Sequence, residues 1–64
     1  MLNAVFNDLR FRIEPDFPEV GVYLYVFDGE KCIYDYLQDD NKMCQEFAFD
    51  EFGVPLTAWT EIDL

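Results

Sequence analysis

The stretch GVYLYVFDGEKCIYDY, residues 21–36, decides the fold. It reads as two strands joined by a tight turn. Val22, Leu24 and Val26 alternate with Tyr23, Tyr25 and Phe27, the period of a strand with two different faces. Asp28-Gly29 is a hairpin signal, because a type I′ turn needs positive φ at both central positions. The reading is a strand over about 20–27 and a second over about 30–37. Such a turn places Phe27 opposite Glu30, Tyr25 opposite Cys32, Leu24 opposite Ile33 and Tyr23 opposite Tyr34. Side chains alternate across a strand. One face is therefore expected to hold Val20, Val22, Leu24, Val26, Ile33 and Leu37. The other holds Tyr23, Tyr25, Phe27, Cys32, Tyr34 and Tyr36.

Upstream, Leu9, Phe11 and Ile13 alternate with Arg10, Arg12 and Glu14, which predicts another half-buried strand. Residues 1–7 carry a weaker pattern and read as a frayed start. The run PDFP, residues 15–18, reads as a connecting turn, since proline lacks an N–H and restricts the residue before it. Downstream, QDDN at 38–41 marks a helix entry, with Asp39 or Asp40 as N-cap. From about Asp40 to Phe52 a stripe of Met43, Cys44, Phe47, Ala48 and Phe52 has helical spacing. Phe49 lies outside that stripe. Gly53 suits the left-handed position after a helix, and Pro55 prevents continuation. The segment LTAWTEIDL is left as a short fourth strand or a tail, pinned by Trp59.

The expected architecture is a single α+β domain spanning residues 1–64. It has three antiparallel strands, or four with the tail, and one helix on one face of the sheet. The aliphatic face suits the helix, because buried phenol oxygens need hydrogen-bond partners whereas at a surface they find water. The tyrosine face then looks outward beside Arg10 and Arg12. A competing register flips the first strand and puts the helix over the tyrosines.

Composition narrows function. Fourteen acids against four bases give a net charge of −10. Nucleic-acid binding rests on Lys and Arg neutralising phosphates, so single-stranded RNA on the aromatic sheet face is disfavoured. Basic protein surfaces are favoured. The chain has no His and no Ser, which removes the Ser-His-acid triad and all histidine acid–base chemistry. Two cysteines are too few for a zinc site within one chain. The acids lack the spacing of an EF-hand loop, and no glycine loop suits phosphate. The expectation is a non-enzymatic protein without cofactor or metal. No apolar run reaches the ~18 residues of a membrane helix. The opening MLNAVFNDLRF lacks the features of a secretion signal. A cytoplasmic protein with reduced Cys32 and Cys44 is expected.

Seven Phe, four Tyr and one Trp are much apolar material for 64 residues, and domains this small often need a partner for stability. Tyr and Arg are enriched at binding hot spots. The candidate binding residues are therefore Tyr23, Tyr25, Tyr34, Tyr36, Arg10 and Arg12. They would serve a protein-binding module or, alternatively, a homodimer with the tyrosine face as its interface.

The run FRIEP…VGVYLYVFDGEKC…QDDNKMCQEFAFDEFG, within residues 11–53, resembles in element order the sheet-then-helix core of HicB-type antitoxin domains. Those have a strand ending in Glu-Pro, a strand rich in Tyr and Val, a Cys-containing strand and a helix opened by an acidic turn. The resemblance implies an antitoxin-like or immunity-like role, binding a small basic ribonuclease toxin. The ending FGVP…W.EI also resembles short bacterial proteins for which the likeness implies no function.

Overall fold

A computed structural model describes residues 1–15 and 21–62. The expected PDFP turn falls largely in 16–20, outside the described residues, as does Val20. The class is α+β, as the sequence predicts, but the sheet has five strands where three or four are expected. They are β1 (Leu2–Phe6), β2 (Leu9–Pro15), β3 (Val22–Asp28), β4 (Lys31–Gln38) and β5 (Thr60–Glu61). Helix α1 covers Asn41–Phe52, and a 3-10 turn covers Leu56–Ala58. All strand pairs are antiparallel, in the order β4-β3-β2-β1-β5.

The strand over Leu2–Phe6 corrects the reading of a frayed start. Its cause is local. Asn7 and Asp8 have φ of 53° and 65°, the backbone of a type I′ hairpin turn. Asn and Asp tolerate that region better than other non-glycine residues. Phe6 then faces Leu9, Ala4 faces Phe11 and Leu2 faces Ile13. The weak pattern of residues 1–7 becomes an inner face. The C-terminal segment forms β5 through Leu2↔Glu61 and Asn3↔Thr60, and the Ile62 N–H donates to the Met1 carbonyl at 2.8 Å.

One face of the sheet is roofed by α1. Ala4, Phe11, Ile13, Leu24 and Val26 from the strands are buried against Cys44 and Ala48 of the helix and Val54 beyond it. Fully burying a side chain such as Ile13 or Leu24 is worth about 1.5–3 kcal/mol. Phe52 and Trp59 stand edge-on to Phe11, with ring centroids 5.4 and 6.3 Å away, so Trp59 pins the tail as expected. The helix ends as its sequence predicts. Asp40 Oδ1 accepts the Met43 N–H at 2.9 Å. Gly53 has φ 78°, its N–H donates to the Phe49 carbonyl, and the Val54 N–H donates to the Ala48 carbonyl. The Gly53 bond is that of a left-handed αL cap. Phe49 lies on the solvent side of the helix at 53% exposure. Met43, expected on the core stripe, is also exposed.

The hairpin of residues 21–36 departs from expectation twice. Its turn is centred on Gly29-Glu30, with Asp28 opposite Lys31. Gly29 has φ 63° and Glu30 is not in the positive region, the pattern of a II′ turn. That shift alone would keep the four tyrosines together. The second departure separates them. Phe27 pairs with Cys32 but Val26 pairs with Tyr34, so β4 carries an extra residue, Ile33, in a β-bulge. One extra residue reverses the facing of everything beyond it. Tyr34 and Tyr36 lie opposite Val26 and Leu24, on the helix side. Ile33, Asp35 and Leu37 turn to the open side, contrary to the placement of Ile33 and Leu37 on the aliphatic floor. The physical reason is Asp35. Regular pairing would point its carboxylate under the helix, where an unpaired charge is costly.

Candidate interaction surface

The bulge sorts the six candidate residues into two groups. Tyr23, Tyr25, Arg10 and Arg12 share the open face of the sheet. Tyr34 and Tyr36 do not belong with them. They pack at the seam between β4 and α1, with Tyr36 4.2 Å from the Phe47 ring and Tyr34 5.7 Å from the Phe52 ring. Burial, with Tyr34 and Glu51 nearby, raises the pKa of the Tyr36 hydroxyl. The tyrosine face predicted as one patch is therefore two half-patches on opposite sides.

The open face reads as rows across β2, β3 and β4. Arg10 faces Phe27, which faces Cys32. Arg12 faces Tyr25, which faces Asp35. Glu14 faces Tyr23, which faces Leu37. The middle column is aromatic from end to end. Tyr23 and Tyr25 stack at 5.6 Å with planes 18° apart, and Phe27 follows at 6.3 Å. Both guanidinium groups of the chain lie over Phe27, at 5.2 Å for Arg10 and 5.1 Å for Arg12. Such cation–π contacts contribute about 0.5–1 kcal/mol at exposed sites. Arg10 also donates to the Gly29 carbonyl at 2.9 Å, and Arg12 lies 3.8 Å from Glu14.

Around this column sits uncovered apolar surface. Val5 on β1 is 65% exposed, Ile33 37% and Leu37 48%. No described element covers this side. The sequence reading missed Ile33, Asp35 and Leu37 as surface residues because it assumed regular pairing. The available signal was Asp35, the one charge in the middle of β4.

Charge divides along the same line. Among the described strand residues the open face holds two cations, Arg10 and Arg12, and two carboxylates, Glu14 and Asp35. With fourteen acids and four bases in the chain, twelve acids and two bases remain for everything else. Asp39, Asp40, Glu46, Asp50 and Glu51, at or on α1, are all exposed.

The thiols differ. Cys32 is exposed and its Sγ donates to the Tyr34 carbonyl at 3.3 Å. Cys44 is buried, its Sγ donates to the Val22 carbonyl at 3.7 Å, and burial with nearby Asp40 pushes its pKa up to about 11. Among the described residues no group of His, Cys, Asp and Glu could hold a metal ion. No described helix is long and apolar enough to cross a membrane. Comparison with models of protein families, with curated proteins and with solved structures finds no match.

Proposed function

We propose that the chain is a small acidic protein-interaction module, non-enzymatic, that makes contact through the open face of its sheet. The observation that carries this reading is the half-buried aromatic column Tyr23-Tyr25-Phe27 on a face that no described element covers, with Arg10 and Arg12 beside it and the exposed Val5, Ile33 and Leu37 around it. Exposed contiguous apolar surface on a small protein marks interaction sites. Tyr and Arg anchor interfaces because they bury much area for few frozen torsions. The lack of His and Ser supports a binding role over a catalytic one. An antitoxin-like or immunity-like role is the form this takes with a basic partner, whose approach the net charge would steer.

The test uses tagged baits of wild type and Tyr25→Ser in one native extract, with a differently tagged copy of the chain added. A protein retained stoichiometrically by wild type and lost by Tyr25→Ser supports the reading. Retention that is indifferent to Tyr25→Ser but abolished by Tyr34→Ser would move the contact to the helix seam and refute it.

A further inference from the structure

The charges on the open face form a self-complementary pattern. Arg12, Tyr25 and Asp35 occupy one row on three adjacent strands. The cation lies on one side of the aromatic column and the carboxylate on the other. Arg12 and Asp35 are two strand spacings apart, about 10 Å, and among the described residues Asp35 forms no salt bridge.

We propose that the open face is closed by a second copy of this chain, packed face to face about a two-fold axis that runs along β3. This rests on the reading of the open face as a protein contact and names its occupant. Such an axis lays β2 of each copy over β4 of the other and keeps each row in line. Arg12 then meets the partner's Asp35, twice by symmetry, on either side of a central Tyr25 pair. Isologous contacts of this kind are the usual basis of small dimers. Stacked sheets lie about 10 Å apart with strands aligned to within ~30°, a distance that long side chains such as Arg can span.

The other in-plane axis, across the strands, lays β2 on β2 and β4 on β4. It brings Arg10 to Glu14 but also Arg12 to Arg12 and Asp35 to Asp35, and like charges across an interface cost several kcal/mol, whereas the axis along β3 makes no like-charge pair. Charge therefore selects the axis along β3. Charge also selects the occupant. The net charge of the whole chain would steer a basic partner, but this face, with two cations and two carboxylates, offers it no excess of negative charge. A second copy brings its matching balanced face and keeps the acids at and on its helix, Asp39, Asp40, Glu46, Asp50 and Glu51, on the other side of its sheet. The two helices, each behind its own sheet, end up on opposite outer sides, roughly 30 Å apart. At about 0.15 M ionic strength the Debye length is about 8 Å, so their mutual repulsion is screened.

Sedimentation equilibrium over a micromolar series tests this with Arg12→Asp and Asp35→Arg. Wild type is expected to dimerise. Each variant alone sets like charges face to face and is expected to weaken the dimer by about a hundredfold. An equimolar mixture of the two restores both pairs and is expected to form a heterodimer within about tenfold of wild-type affinity. Because Arg12 and Asp35 do not touch within one copy, rescue on mixing reports contact between copies. Circular dichroism checks that each variant folds. If a charge reversal does not fold, Asp35→Asn replaces it, with a loss of about tenfold expected. Wild type that stays monomeric throughout overturns the second copy, while the bait experiment still decides whether the face binds another protein. A dimer indifferent to these changes, or a mixture no tighter than either variant alone, overturns the geometry.

Discussion

Asp40 and Cys44 stand one helical turn apart and show how single side chains set the helix in place. Asp40 accepts the Met43 N–H, and the neighbouring Asp39 makes no such bond. Asp40→Ala is expected to cost about 1 kcal/mol in urea unfolding, and Asp39→Ala close to nothing. Equal losses would contradict the cap. Cys44 is protonated in the fold because burial raises its pKa from 9.0 to about 11. Below pH 9 the thiol is neutral in folded and unfolded chains alike, and its contribution is fully present. As pH rises from about 9 to about 11 the unfolded chain ionises first, so stability is lost. Wild type should lose more stability than Cys44→Ala over that window, read as the difference between their urea midpoints. Identical pH profiles would refute the buried thiol. Gly21 has φ 114°, and a Cβ there would collide with the Gln38 carbonyl oxygen.

At the scale of elements, the bulge in β4 determines which tyrosines face the helix side of the sheet. Ile33 is the extra residue, and its removal would leave Tyr34 opposite Val26 with regular pairing throughout. Deletion of Ile33 is therefore expected to keep the fold, with a change of about 1 kcal/mol in thermal or urea unfolding. Deletion of Asp35 would turn Tyr36 outward and Leu37 inward and should unfold the chain or exchange its surface residues. If the Ile33 deletion unfolds the protein, the bulge is misplaced. Much of this layer was legible in advance. The alternation in β2 and β3, the Asp40 cap and the Gly53 stop are short-range signals that each act through their own backbone. The β1 hairpin was missed because Asn7-Asp8 is a weaker turn signal than Asp-Gly, and Ala4 contributes little to an apolar pattern. Tyr34 and Tyr36 were misplaced because a bulge leaves no local mark. It answers to the long-range demand that Asp35 stay out of the core. Four of the six candidate residues keep the facing expected of them for the same reason. Arg10, Arg12, Tyr23 and Tyr25 precede the bulge and keep their facing.

At the scale of the whole molecule, a helix on one side of a five-stranded sheet leaves the other side without a covering element among the described residues, and the net charge of −10 decides how that side behaves. In the proposed dimer two copies repel at long range and attract at the face. Salt shortens the Debye length from about 30 Å at about 0.01 M to about 8 Å at about 0.15 M, and over that range it screens exposed repulsion more than interactions in a closed interface. Self-association should therefore tighten as sodium chloride is added, measured by sedimentation. Binding to a basic partner would loosen instead. The most direct test of the account is an isotope-filtered nuclear Overhauser spectrum of a half-labelled sample. Contacts between copies are predicted from the rings of Tyr23, Tyr25 and Phe27, while Tyr36 and Tyr34 show contacts to Phe47 and Phe52 within one copy. Contacts between copies that arise from Tyr34, Tyr36 or the helix, or Tyr25 signals that reach Phe47, would contradict it.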